Sequence, residues 1–157
     1  MSILKVNTIQ KKDGSAFPLG KIGQVVQSVY STQLSSTSTS LASTGLSASI
    51  TPTSTSSKIL VTVTQNGCGV SGTSNAGLYL SLRDNADSEI GIISRYFAYP
   101  SSSTHLEHSL SICYLHSPNT TSSYSYSTKY GLSSGTGTAY VQASSGVSTM
   151  TLMEVLA

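Results

Sequence analysis

The chain has 157 residues, eight basic and six acidic side chains and a formal net charge of +2, with charged residues at only 9% of the composition against about a quarter in ordinary soluble domains. That length holds one domain around a single core, and basic residues spread singly along it form no patch to neutralise a run of phosphates, which sets nucleic acid aside as a partner. Serine and threonine supply roughly a third of the chain, yet disorder is excluded as well, because disordered chains combine low hydrophobicity with high net charge and here 38% of residues are hydrophobic.

Met1 to about Gly20 differs in kind from the rest of the chain. Lys5, Lys11, Lys12 and, just beyond, Lys21 are half of the eight basic residues. The extended run Leu4-Lys5-Val6-Asn7-Thr8-Ile9 is punctuated by the turn signals Lys11-Lys12-Asp13-Gly14 and Phe17-Pro18-Leu19-Gly20, in which Pro18 biases Phe17 toward extended geometry. Leu4, Val6, Ile9, Phe17 and Leu19 are too sparse to form a core alone, so residues 1–21 read as an arm that packs on the body or on another chain. Residues 22–157 read as one β domain. No apolar run of signal-peptide length opens the chain and no stretch of about 18 apolar residues occurs, so the protein is expected to be made in a cytoplasm and to be soluble, without membrane insertion.

Gln24 to Ser31 is the first body strand. Ser35 to Ser49, nearly all Ser, Thr, Ala and Leu, reads as a long surface loop or weak edge strand. In Lys58 to Gln65, Ile59, Val61 and Val63 share one face and Lys58, Thr62 and Thr64 the other, as expected of a strand with one face buried. Leu60 breaks the alternation, and the pair Asn66-Gly67 is expected to close the strand with a turn. Ala76–Arg83 and Ser88–Tyr96, joined through Asp84-Asn85-Ala86-Asp87, predict a hairpin. Leu106–Leu115, Ser123–Tyr130, Gly137–Ser144 and Val147–Leu156 complete about eight strands, the last two joined by Ser144-Ser145-Gly146, and no segment has a 3.6-residue period. The pattern predicts an antiparallel β-sandwich of jelly-roll type with an extended N-terminal arm. The final strand is apolar on both faces, as either a subunit interface or a central strand of the chain's own sheet would be, and Met153 and Val155 are the candidate subunit interface of a homotrimer.

Residue types with metal chemistry gather at His105, Glu107, His108, Cys113 and His116, but alternation points His108 away from His105 and Glu107, so they do not converge on one ion without a bend. Asp84, Asn85, Asp87 and Glu89 lack the spacing of a calcium loop and suit a hairpin turn instead. With no Gly-x-Ser-x-Gly and no nucleotide loop, no catalytic, cofactor or metal site is expected. Cys68 and Cys113 could pair, but a chain with so few Cys favours two buried free thiols, and Asn119-Thr120-Thr121 reads as a plain turn after Pro118. Tyr96, Tyr99, Tyr124 and Tyr126 are candidates for surface contact with sugar or protein; the alternative is that the alternating tyrosines are core and cross-strand pairs.

Ser2-Ile3-Leu4-Lys5-Val6-Asn7-Thr8-Ile9-Gln10, followed by Asp13-Gly14, resembles the opening of tail-fibre and other virion structural proteins of marine tailed phages, those of cyanobacteria above all. Ile50-Thr51-Pro52 through Lys58-Ile59-Leu60-Val61, the Leu-rich hairpin and Met150-Thr151-Leu152-Met153-Glu154-Val155 are similar to segments of small Ser/Thr-rich phage proteins. The resemblance implies a non-enzymatic virion component, attached to other virion proteins of tail or capsid by its arm and projecting a trimeric β domain with a tail-fibre-like adsorption role, for which the tyrosine faces suggest a host surface glycan as partner. Without a shaft of repeats between arm and body, a capsid decoration or head-fibre protein is the alternative. A free carbohydrate-binding module, which needs no arm, is the rival from another class.

Overall fold

The computed structural model describes residues 21–97 and 106–156, and within them eight strands: β1 (Lys21–Tyr30), β2 (Leu34–Ser36), β3 (Ala42–Ile50), β4 (Lys58–Arg83), β5 (Glu89–Phe97), β6 (Leu106–His116), β7 (Tyr124–Val141) and β8 (Ser148–Leu156). Every pairing among them is antiparallel. The all-β antiparallel sandwich read from period-two alternation is therefore the fold.

Its organisation comes from β4, which is 26 residues long where strands commonly run to about 10. The first part of β4 lies between β8 (Lys58↔Val155 to Thr64↔Thr149) and β6 (Ile59↔His116 to Val70↔Leu106), and β1 flanks β8. The last part lies between β7 (Gly77↔Ser134 to Arg83↔Ser127) and β5, and β3 flanks β7. The two layers are β1-β8-β4-β6 and β3-β7-β4-β5, with β4 common to both and β2 paired to the far end of β7. Ile59, Val61 and Val63 from the first layer meet Leu46, Ala48, Ile50, Leu82 and Tyr126 from the second in one core, while Cys68, Val70, Leu78, Leu80, Tyr130 and Leu132 form its continuation. Each large apolar side chain so buried contributes about 1.5–3 kcal/mol.

The predicted hairpin is present: Arg83 pairs with Glu89 and Ser81 with Ile92, and the Asp84 N–H donates to the Ser88 carbonyl at 3.0 Å. Three other readings need correction, and one is narrowed to one of its alternatives. Asn66-Gly67 makes no turn; it is a bulge inside β4, where the register shifts between Gln65 and Cys68 and Gly67 takes a φ of 56°. A glycine permits this backbone within a strand without the Cβ penalty. The segments 123–130 and 137–144 belong largely to one strand, β7, because Gly137 and its neighbours pair with β4 instead of turning. Of the two readings of the Ser/Thr tract, the edge strand holds over Ala42–Ile50: β3 pairs with β7 alone among the described strands, Thr44, Leu46, Ala48 and Ile50 alternate into the core from it, and it bulges at Gly45 (φ 81°), against which the Tyr30 ring lies. Cys113 is exposed and only Cys68 is buried, because Cys113 alternates to the outer face of β6 opposite Thr62.

At the bulge the layers are joined by a polar network buried to zero exposure. Thr128 on β7 donates to Gln65 Oε1 at 3.0 Å and shares a 2.5 Å hydrogen bond with Thr44 on β3. Ser148 on β8 accepts from Gln65 Nε2 at 3.2 Å, Gln142 Nε2 at 3.2 Å and the Asn66 N–H at 3.0 Å. Buried polar groups hold their place only when so partnered. Gly67 lies at the same point, and a Cβ there would stand 2.3 Å from the Ala143 backbone nitrogen and 2.4 Å from its oxygen. Gly67→Ala is accordingly expected to remove roughly 2 kcal/mol or more of stability, by left-handed strain together with backbone collision. Urea unfolding measures it, and an unchanged midpoint contradicts this account of the bulge.

Candidate interaction surface

Alternation exposes one face of each layer, and the two outer faces differ in chemistry. Across the first layer, Val25 on β1 pairs with Met153 on β8, Met153 with Leu60 on β4, and Leu60 with Leu115 on β6. This is an unbroken apolar row four strands wide. Val25 is 56% and Leu115 48% exposed at its ends, with Met153 and Leu60 half-buried between them. The next row holds Ile22 and Val155 beside Lys58. On the other side come Gln27, Thr151, Thr62 and Cys113, then Val29, Thr149, Thr64 and Ser111. Among the described residues of these four rows Lys58 is the one charged side chain. Glu107, further along β6, stands opposite Gly69, beyond the last pair that β8 makes with β4.

The second layer's outer side is polar apart from Ile92, which stands exposed on β5 opposite Ser81. Arg83 Nη2 meets Glu89 Oε2 at 3.1 Å, Tyr79 donates to the same oxygen, and Arg95 lies over the Tyr79 ring, its guanidinium carbon 5.2 Å from the centroid. Lys129 Nζ and Asp87 Oδ2 are 2.6 Å apart. Ser43, Ser47 and Ser49 from β3 lie beside Lys129, Ser127 and Ser125. Asp84 is taken up by its turn, its Oδ1 accepting from the Ala86 and Ser88 N–H groups at 2.9 and 2.8 Å. The carboxylates of the supposed calcium loop thus serve the hairpin and its ion pairs.

A cluster of rings sits where β6 ends and β7 begins. His116 lies 5.6 Å from Tyr124 and 5.7 Å from Tyr126, edge-on to the latter, with Tyr114 6.3 Å beyond. His116 Nδ1 and the Tyr126 hydroxyl are 2.9 Å apart, and Tyr124 donates to Asp84 Oδ2 at 3.3 Å. Burial lowers the His116 pKa, partly opposed by the Asp84 charge. Burial raises that of the Tyr126 hydroxyl, with smaller contributions in the same direction from Tyr124 and Asp84. The imidazole is therefore held toward its neutral form and the phenol is kept protonated.

Of the candidates for surface contact, Tyr126 is wholly buried and belongs to the core, since its register opposite Ala48 points it inward. Tyr124 is half-buried against His116. Tyr96 falls within β5, and Tyr99 lies outside the described residues, as do Leu4, Val6, Ile9, Phe17, Leu19 and His105. Glu107 and His108 border a shallow recess of about 250 Å³ beside Ser144 and Gly146, with Ser144 donating to Glu107 at 3.3 Å. Among the described residues no three His, Cys, Asp or Glu side chains converge as a metal site.

Residue reading missed Glu154. Met150, Leu152 and Glu154 share the inward face of β8, so a carboxylate stands at a core position, and that alternation was the available signal. Its Oε1 accepts from the Thr53 N–H at 2.6 Å and the Thr53 hydroxyl at 2.7 Å, and its Oε2 from Gln24 Nε2 at 2.9 Å. It thereby ties β1 and the β3–β4 connection to the last strand.

No known family's sequence profile matches the chain, and no curated protein sequence matches it. Among solved structures, a chain of "Structure of infectious bursal disease virus Gx strain" aligns with 96% of this chain at 11% identity and a TM-score of 0.34. This chain spans about half of that one, 47% of its length. At that score the likeness carries no argument.

Burial works against ionisation of Glu154, but the hydrogen bonds from Gln24 and Thr53 outweigh it and bring the pKa down from 4.5 to about 2. A depressed carboxylate pKa stabilises the fold fully above the unfolded value and loses that contribution as pH falls through the folded one. Stability is expected to decline as pH falls from 4.5 to 2. Glu154→Gln is expected to be less stable at pH 7 and to approach the parent chain toward pH 2; urea midpoints that run parallel across this range contradict the assignment.

Proposed function

We propose that this chain is a non-enzymatic structural protein of a tailed-phage virion, a tail-fibre-like homotrimeric appendage that attaches to other virion proteins through residues 1–21 and contacts a host surface glycan. The observation that carries the reading is a sandwich whose two outer faces are unlike, one a neutral apolar row suited to permanent contact, the other hydroxylic and ion-paired. A weakly charged, hydroxyl-rich exterior resists nonspecific adhesion, which suits a particle's outer part. The strand orders β1-β8-β4-β6 and β3-β7-β4-β5 support a jelly-roll assignment, an architecture that capsid and lectin domains share. The phage-like opening Ser2 to Gln10 supports the arm's role, and the virion is the proposed location. Capsid decoration differs from this only in the place of attachment. A free glycan-binding module draws on a different observation, the Tyr114, His116 and Tyr124 rings at one end of the sandwich.

Light scattering of the full chain and of a chain lacking residues 1–20 tests the reading. A closed trimer has a mass of roughly 49 kDa, three times the 16.3 kDa chain. The full chain is expected at that mass, and the shortened chain is expected to stay folded while failing to join particles. A monomeric full chain overturns the appendage reading in favour of the free module.

A further inference from the structure

We infer that the outer face of the β1-β8-β4-β6 layer is where copies of this chain meet, with the row Val25, Met153, Leu60 and Leu115 at the centre of the contact. The inference rests on the proposed assembling role and names the surface that performs it. Soluble sheets with one face in water alternate apolar-in and polar-out. Here the alternation fails at corresponding positions of all four strands, so that the outward residues form one continuous row. Four failures in register are a surface, whereas single exposed apolar residues are ordinary.

The occupant is set by size and charge. Four strands about 4.8 Å apart and the eight positions from Ile22 to Val29 at about 3.3 Å each describe a face of roughly 500 Å² in plan. With projecting side chains its accessible area is of the order of the roughly 800 Å² that each partner buries in a standard interface. These rows carry Lys58 at one corner and no acid among the described residues, so three such faces gathered round a threefold axis meet without opposed ranks of like charge. The matching partner is likewise neutral, apolar at its centre and hydroxylic at its rim, and a second copy of the chain has that composition. The other layer, with Arg83, Arg95, Lys129, Asp87 and Glu89, is left facing outward.

Cys113 provides the probe. It is exposed in the single chain and stands in the row next to Leu115, whereas Cys68 is buried and its thiol is pushed up to about 12, so a thiol reagent acting on the folded protein reads Cys113. The experiment compares the full chain with Val25→Lys/Leu115→Lys, which places two charges at the exposed ends of the row where folding tolerates them, and with Ser47→Lys on the opposite layer. Circular dichroism melts establish that each variant is folded. The full chain and the Ser47→Lys chain are expected to be assembled by light scattering, with Cys113 modified at least about tenfold more slowly than in the monomeric double variant. An assembled full chain whose Cys113 reacts as fast as in the double variant overturns the inference while leaving the assembling role intact. A monomeric full chain overturns both, and protection of Cys113 in that monomer would assign the cover to the chain's own N-terminal residues.

Discussion

The sandwich depends on one strand serving two layers. A β4 of 26 residues cannot continue flat and also face itself across a core, so it must change direction, and every change costs ladder hydrogen bonds. The register shifts at Gln65/Cys68 and between Gly72 and Gly77 are where this happens. At the first of them the backbone groups released by the bulge find new partners: Asn66 donates to Ser148 Oγ, and the Asn66 carbonyl accepts from the Gln142 N–H at 2.9 Å. The buried Gln65, Thr128 and Thr44 chain then links β4 to β7 and β3. A polar network in this position specifies one register, because a slip by one residue would turn Gln65 outward and leave its partners unpaired.

Glu154 performs a similar task at the other end of the layer. An ionised carboxylate taken out of water is tolerated only when donors replace its hydration, and Thr53 and Gln24 supply three. The result is that β1, at the edge of the described sheet, and the Thr51–Ser57 connection are attached to β8 by charge-assisted hydrogen bonds in addition to the ladder. That matters for the apolar row, since Val25 is the residue after Gln24 and its outward aim depends on β1 being held in place.

Strand existence was legible in residues wherever apolar and polar positions alternate over a long stretch, as in Lys58–Gln65, Ala76–Arg83 and Leu106–Leu115. It was illegible where composition masked alternation. In β3 the inward residues are Thr44, Leu46, Ala48 and Ile50, half of them small or hydroxylic, so the tract reads equally as surface loop or weak edge strand although the period is there. Asn66-Gly67 misleads for a different reason: the dipeptide reports a left-handed backbone, which a turn and a bulge both require. Local chemistry cannot separate the two, and the choice falls to β8 and β7, which pair on either side of the bulge. Long-range pairing likewise decides that Tyr126 is core, since alternation names the face of a strand but not which face is covered.

The apolar row shows the same limit from the other direction. Leu60 breaks the pattern of its strand, Met153 and Val155 make β8 apolar on both faces, and Val25 doubles Val26. Each is a local irregularity with several explanations when read alone. Only the registers Val25↔Met153, Leu60↔Met153 and Leu60↔Leu115 turn them into one feature. An edge strand such as β1 is ordinarily defended by charge, proline or a bulge, and this one has a bulge at its start but carries Val25 and Val29 outward with no charge beyond Lys21. Leaving such an edge beside such a face would invite indiscriminate pairing in a monomer. A chain that otherwise spends so little on charge and so much on hydroxyls escapes that hazard if the face is closed by its own copies, which exposes the polar layer and hides the apolar one.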